Sequence, residues 1–179
     1  MAKQIAVLVG SNSKTSFNQI VAKYLKAIAP TSIQLNFLEI ADLPLYNRDL
    51  DDNSPAQYVR FRKQISEADG ILFVSPEHNG STPAVLKNAV DIGSRPSGES
   101  LWIGKPAGIV TVTATDGAGV TASLKALVTA HYVNMKLLPN VAQVPGIFGG
   151  VFNEQGEIAS EDVKQKLQKF INEYADFVQ

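Results

Sequence analysis

Three short stretches of the chain carry residues suited to holding a flat, polar, phosphorylated ligand: Gly10-Ser11-Asn12-Ser13-Lys14-Thr15-Ser16-Phe17-Asn18, the run from Ser75 to Thr82, and the run from Thr113 to Gly119. Each is built from glycine, serine, threonine, asparagine and proline, whose backbones and short side chains approach a ligand closely. In the first stretch Ser11, Ser16 and Asn18 supply short donors. If a helix starts there, its free N–H groups and positive dipole end make the stretch a phosphate cradle. It is neither a Walker loop, lacking Gly-Lys-Ser/Thr, nor a GxGxxG turn, having a single glycine. Read alone, it serves equally well as a simple helix cap.

Other chemistries lack their residues. There is no cysteine, which removes disulfides, thiolate metal sites and thiol nucleophiles, and His78 and His131 stand too far apart for a His-rich zinc site, so no metal is assigned. With 16 basic against 17 acidic residues and no block of either sign, no nucleic-acid groove is expected. Met1-Ala2-Lys3-Gln4 runs straight into an apolar segment too short for a signal-peptide core or a membrane span, so the expected location is the cytoplasm, with no membrane association. A length of 179 residues with 45% hydrophobic content fits a single domain over 1–179.

The elements that must position the three stretches alternate regularly. Ile5 to Val9 is a continuous apolar run, as in a parallel strand buried on both faces. Ile20, Val21, Tyr24, Leu25 and Ile28 then recur at helical spacing until Pro30. Further strands are expected over 33–40, nearer an edge, and over 70–75 and 107–115, with short candidates at 136–138 and 141–144. Further helices are expected over 55–68, 83–93, 120–132 and 160–177, the last capped by Ser160. The order predicts an α/β fold: a doubly wound, five-stranded parallel sheet with helices on both faces. In such sheets ligands bind beyond the carboxyl ends of the strands, where the strand order reverses, and the three stretches follow strands one, three and four.

The second stretch and its continuation, Ser75-Pro76-Glu77-His78-Asn79-Gly80-Ser81-Thr82-Pro83-Ala84-Val85-Leu86-Lys87-Asn88-Ala89-Val90-Asp91, resembles the long signature of the NAD(P)H-dependent FMN reductase family, which includes quinone, azo and chromate reductases. The first stretch is similar to that family's G-S-x-x-x-x-S-x-N segment, and Ser94-Arg95-Pro96 continues the match. The resemblance implies a flavodoxin-like fold holding FMN, with NAD(P)H as co-substrate and a small-molecule electron acceptor: a quinone, azo compound, chromate or free flavin. It implies a ping-pong cycle on one open face of the ring and a homodimer or homotetramer. Carried over by position, Ser11, Ser16, Phe17 and Asn18 hold the phosphate and ribityl chain; Pro76, Glu77, His78, Asn79 and Gly80 border the isoalloxazine ring; Thr113, Thr115, Asp116 and Gly117 lie along its other side. Ser13 stands where many relatives have arginine, and Lys14 offers the cation instead. His78 stands where tyrosine is usual, which makes the site less apolar and open to titration near pH 6.5, or is a plain planar replacement.

In this reading no side chain is a catalytic acid or base, because the flavin carries the chemistry. Backbone N–H groups of 77–80 are expected to stabilise the charge on the reduced ring, and the Glu77 carboxylate to matter less than its backbone. Arg95 is expected at a nicotinamide phosphate, at a neighbouring subunit or simply in solvent. Val85-Leu86-Ala89-Val90 and Leu101-Trp102-Ile103 are candidate contact surfaces, with core packing the simpler account of the first, Trp102 partly exposed, and His131 structural near a helix end. The rival reading is a flavodoxin-type electron carrier that docks to protein partners. Carriers of that kind are usually strongly acidic with aromatic flavin loops, whereas this chain has a formal net charge of -1.

Overall fold

The strand β1 (Lys3–Val9) lies at the heart of a parallel sheet because both faces of its apolar run find helices to cover them. The structure, a computed structural model, describes residues 1–179. Alternate residues serve alternate layers: Ile5, Val7 and Val9 point to one core, Ala6 and Leu8 to the other. The sheet order is β2 (Ile33–Phe37), β1, β3 (Gly70–Ser75), β4 (Pro106–Val112), then β5 (Lys136–Leu137). A short β6 (Ala142–Val144) also pairs β4. Every pairing is parallel.

The fifth position is therefore filled by two pieces. β5 pairs the start of β4 and β6 pairs its end, and Pro139, which has no amide to donate, lies between them. The first face is covered by α1 (Phe17–Ile28) and α5 (Glu161–Phe177), the second by α2 (Ala56–Glu67), α3 (Ala84–Gly93) and α4 (Ala118–Thr129). The α5 cap is the one expected: the Ser160 hydroxyl accepts the Val163 N–H at 3.4 Å. Tyr174 of α5 donates its hydroxyl to the Ile71 carbonyl at 2.8 Å, and complete burial holds that hydroxyl well above the usual phenol range. No helix is long and apolar enough to cross a membrane.

Several expectations need correction. α4 begins at Ala118 and ends at Thr129, because Ala130 turns extended with ψ 150°. His131 thus lies past the helix end, exposed, with its ring edge-on to Tyr132 at 4.8 Å. Trp102 is not partly exposed but fully buried. Its indole lies directly against Gly93, where a Cβ would collide with the ring, and its N–H donates to the Val90 carbonyl at 2.8 Å. Leu86, Ala89 and Val90 are core residues and no contact surface, while Ile103 remains exposed. Arg95 is neither free nor simply solvated: it donates to the Tyr46 hydroxyl at 2.7 Å and to Asp51 at 3.1 Å, tying the chain after α3 to the loop that follows β2.

Trp102→Phe should cost about 2 kcal/mol, from one hydrogen bond at about 1 kcal/mol and the void left by the lost ring. Urea unfolding followed by circular dichroism checks this; an unchanged midpoint would show that the indole contributes nothing to the second core.

Candidate functional site

The chain leaves β1 toward β2 and then crosses back past β1 to β3, so the order reverses between β1 and β3. The loops after these strands diverge there, and a cleft of about 270 Å³ opens beyond the strand ends. It brings together Ser11, Ser13, Ser16, Phe17 and Asn18 from the first loop, Pro76, Glu77 and His78 from the second, and Thr113 from the third. Lys14, Asn79, Gly80, Thr115, Asp116 and Gly117 do not line it.

The first loop folds by its own hydroxyls. Ser11 Oγ accepts the Ser13 N–H at 3.4 Å, Ser13 Oγ accepts the Thr15 N–H at 3.3 Å, and Ser16 Oγ caps α1 by accepting the Gln19 N–H at 3.3 Å. Each hydroxyl keeps its own proton to donate outward. The amides of Phe17 and Asn18, at the start of α1, have no carbonyl partner, and no acidic residue stands in that first turn. Asn18 differs from the serines. It is 4% exposed, its Nδ2 donates to the Val112 carbonyl at 3.4 Å, and its Oδ1 is buried without a partner. An orphaned acceptor repels a phosphate oxygen and suits a hydroxyl donor. The donor set therefore fits a phosphate at the serines and helix start, and a polyol beside Asn18.

In the second loop His78 and Ser81 exchange both backbone hydrogen bonds, at 3.1 and 3.0 Å, around an Asn79-Gly80 turn with φ of 50° and 70°. The His78 N–H is thus spent inside the loop, which corrects the expectation that all amides of 77–80 face a ligand; those of Glu77, Asn79 and Gly80 stay free. The His78 ring lines the cleft, exposed, with no side-chain partner. Glu77 has a task that its position in the sequence did not reveal. Its Oε1 accepts the Thr115 hydroxyl at 3.0 Å and its Oε2 accepts the Val120 N–H at 2.8 Å, so it caps α4 from another loop. Gly117, the residue at the cap position itself, has no side chain to do so. Thr82 reinforces the join, its N–H and hydroxyl meeting Ser123 Oγ at 2.9 and 2.8 Å.

Five lining residues were not singled out from the sequence: Thr15 and Ala114 inside the expected stretches, Val112 just before the third, and Ile147 and Phe148 far from all three. Ile147 and Phe148 reach the cleft from the turn after β6, with Phe148 81% exposed and edge-on to Phe17 at 6.1 Å. The signal was there: an aromatic residue set between Gly146 and Gly149-Gly150, beyond the carboxyl end of the last strand position. Its presence also puts an aromatic residue at the cleft mouth, although no phenylalanine, tyrosine or tryptophan stands in the second and third loops.

Residues 4–148 match the family described as NADPH-dependent FMN reductase. The chain belongs to that family. It is 38% identical over 175 residues to a quinone reductase of Pseudomonas putida, covering 97% of this chain and 94% of that one. It is 39% identical over 184 residues to a 2-hydroxy-1,4-benzoquinone reductase of a Burkholderia species, covering 99% and 97%. Among solved structures it resembles FerB, a flavoenzyme NAD(P)H:(acceptor) oxidoreductase of Paracoccus denitrificans, with a TM-score of 0.86, 30% identity and coverage of 99% and 97%. The protein is thus an oxidoreductase that uses FMN and NAD(P)H, on a flavodoxin-like fold.

Glu77→Gln retains an acceptor for the Val120 N–H and should keep kcat/KM within about tenfold, or about 1.4 kcal/mol. Glu77→Ala frees both loops and should weaken FMN binding at least tenfold in a flavin-fluorescence titration. Equal FMN affinity in wild type and Glu77→Ala would show that the bridge does not shape the site.

Proposed function

We propose that this chain is a quinone reductase, taking electrons from NADH or NADPH and delivering them to a quinone or a similar small acceptor, in a ping-pong cycle on one open cleft. The observation that carries the reading is the meeting of three serine hydroxyls and two free helix-start amides in one cleft at the reversal of strand order, with the buried, orphaned Asn18 Oδ1 beside them. When bound, FMN supplies the hydride acceptance and the onward electron transfer.

The protein's residues hold and exclude. Ser11, Ser13 and Ser16 donate to the phosphate together with the Phe17 and Asn18 amides, Lys14 adds long-range positive charge, and Asn18 Oδ1 accepts from the ribityl chain. Pro76, Glu77 and His78 form one wall of the ring site, with the free Glu77 amide supplying a donor for its polar edge and the Asn79-Gly80 turn shaping the loop from outside the cleft. Thr113 forms the opposite wall, and Thr115, Asp116 and Gly117 support it from outside the cleft. The Glu77 charge is directed to the start of α4 and not at the ring, where a negative charge would oppose hydride arrival. In this reading the enzyme is a single FMN-binding domain that works in the cytoplasm as a homodimer or homotetramer, and exposed Leu45, Ile103 and Tyr132 supply apolar surface for assembly.

Purified protein should bind FMN with the visible absorbance of a flavoprotein and oxidise NADPH rapidly with a simple quinone and no protein partner, giving parallel double-reciprocal lines. Absence of flavin, together with a melting temperature that added FMN does not move, would refute the cofactor site; flavin binding with inertness toward quinones would favour the carrier.

A further inference from the structure

Beyond the first loop, on the side away from the cleft, a groove of about 460 Å³ runs past the carboxyl ends of β1 and β2. Ser11 and Ser13 line both spaces, so the loop is the ridge between them. Of the groove's apolar lining, Val9 and Ile40 are buried and Phe37 is half-buried; Asn12, Gln19 and Lys23 supply polar groups. The side chains of Asn12, Gln19 and Lys23 make no hydrogen bond or ion pair within the chain, although Glu39 borders the same groove. Glu39 instead folds onto its own backbone, Oε1 accepting the Ala41 N–H at 2.9 Å. Nearby Asp42 is neutralised by Arg60 at 2.7 Å, whose guanidinium holds the Asp42 carboxyl below its usual range. A second ammonium, Lys26, lies over the Phe37 ring at 5.6 Å. Lys23 is thus the one ammonium lining the groove, and it has no partner in the chain.

A nicotinamide dinucleotide whose reacting ring lies against FMN in the cleft has to lodge its other half elsewhere on the surface, because the residues lining the cleft are already committed to FMN in the reading above. That other half is a flat purine, a ribose and two anionic phosphates. A flat base suits the half-buried Phe37 ring, the pyrophosphate suits an unpaired ammonium beside amide donors, and a ribose diol suits the second carboxylate oxygen of Glu39. A neutral quinone has no use for the lysine. Resting on the FMN and NAD(P)H reading above, we propose that this groove holds the adenosine diphosphate half of the donor, with Lys23 pairing its pyrophosphate and Phe37 flanking its adenine.

The test is calorimetric titration of the FMN-loaded protein with ADP-ribose, the donor fragment without nicotinamide. Wild type should bind it, Lys23→Glu should weaken binding at least tenfold and raise the donor KM by a similar factor, and Lys23→Arg should retain both. The FMN dissociation constant, measured by fluorescence, should not move in either variant. Equal ADP-ribose affinity in wild type and Lys23→Glu overturns the groove, as does an FMN-loaded wild type that is reduced by NAD(P)H but takes up no ADP-ribose. A wild type that binds no FMN overturns the flavin reading itself and this proposal with it, so the two failures are told apart by the flavin titration.

Discussion

Parallel pairing is the constraint on which everything else depends. A parallel strand cannot be joined to its neighbour by a tight turn, so each must hand the chain to a helix that crosses back. Here the first crossover runs toward β2 and the second returns past β1 to β3. The loops after β1 and β3 leave the sheet in opposite directions, and no element fills the space between them. The cleft is therefore a consequence of strand order before it is a consequence of any side chain. It remains accessible because the cores on the two faces are closed by α1 and α5 on one and α2, α3 and α4 on the other.

Loops rich in small residues gain no fixed shape from packing, so something else must hold these three in register. Hydrogen bonds that span them do it. Asn18 reaches from the first loop to the last carbonyl of β4, Glu77 reaches from the second to the third and to α4, and Thr82 closes on Ser123. Farther out, buried Tyr58 donates to the Pro44 and Leu45 carbonyls, and Asn88 accepts the Tyr46 N–H and donates to Pro44. The loop after β2 is thereby pinned to α2 and α3.

The sheet, the five helices and the three loops were legible because buried parallel strands and amphipathic helices leave periodic apolar patterns of unlike period. The two short pieces of the edge strand were legible as candidates at 136–138 and 141–144, but that β5 and β6 share one position shows only when β4 is there to pair them. Trp102 was misread for a related reason. Its flanks, Ser-Gly-Glu-Ser and Gly-Lys-Pro, describe a surface loop, and nothing local shows that Gly93, nine residues back, leaves room for the indole. Within the site, residue types announced the cradle, but the division of labour was hidden. Asn18 reads as one more donor until its amide is seen to be committed to Val112, which leaves its buried Oδ1 as an acceptor without a partner.

Two helices, α1 and α4, start beside the cleft, and both offer free amides and a positive dipole end. Geometry alone gives no reason for an anion to prefer either. The difference lies in what already occupies them. The start of α4 receives the Glu77 carboxylate at 2.8 Å, which satisfies an amide and cancels the local positive potential. The start of α1 has only the neutral Ser16 hydroxyl and no acid in its first turn. A phosphate is thereby directed to α1 and kept from α4, and a ligand with one anionic end and one flat uncharged end can lie in only one direction. The same carboxylate that braces the loops thus also sets the orientation of what they hold.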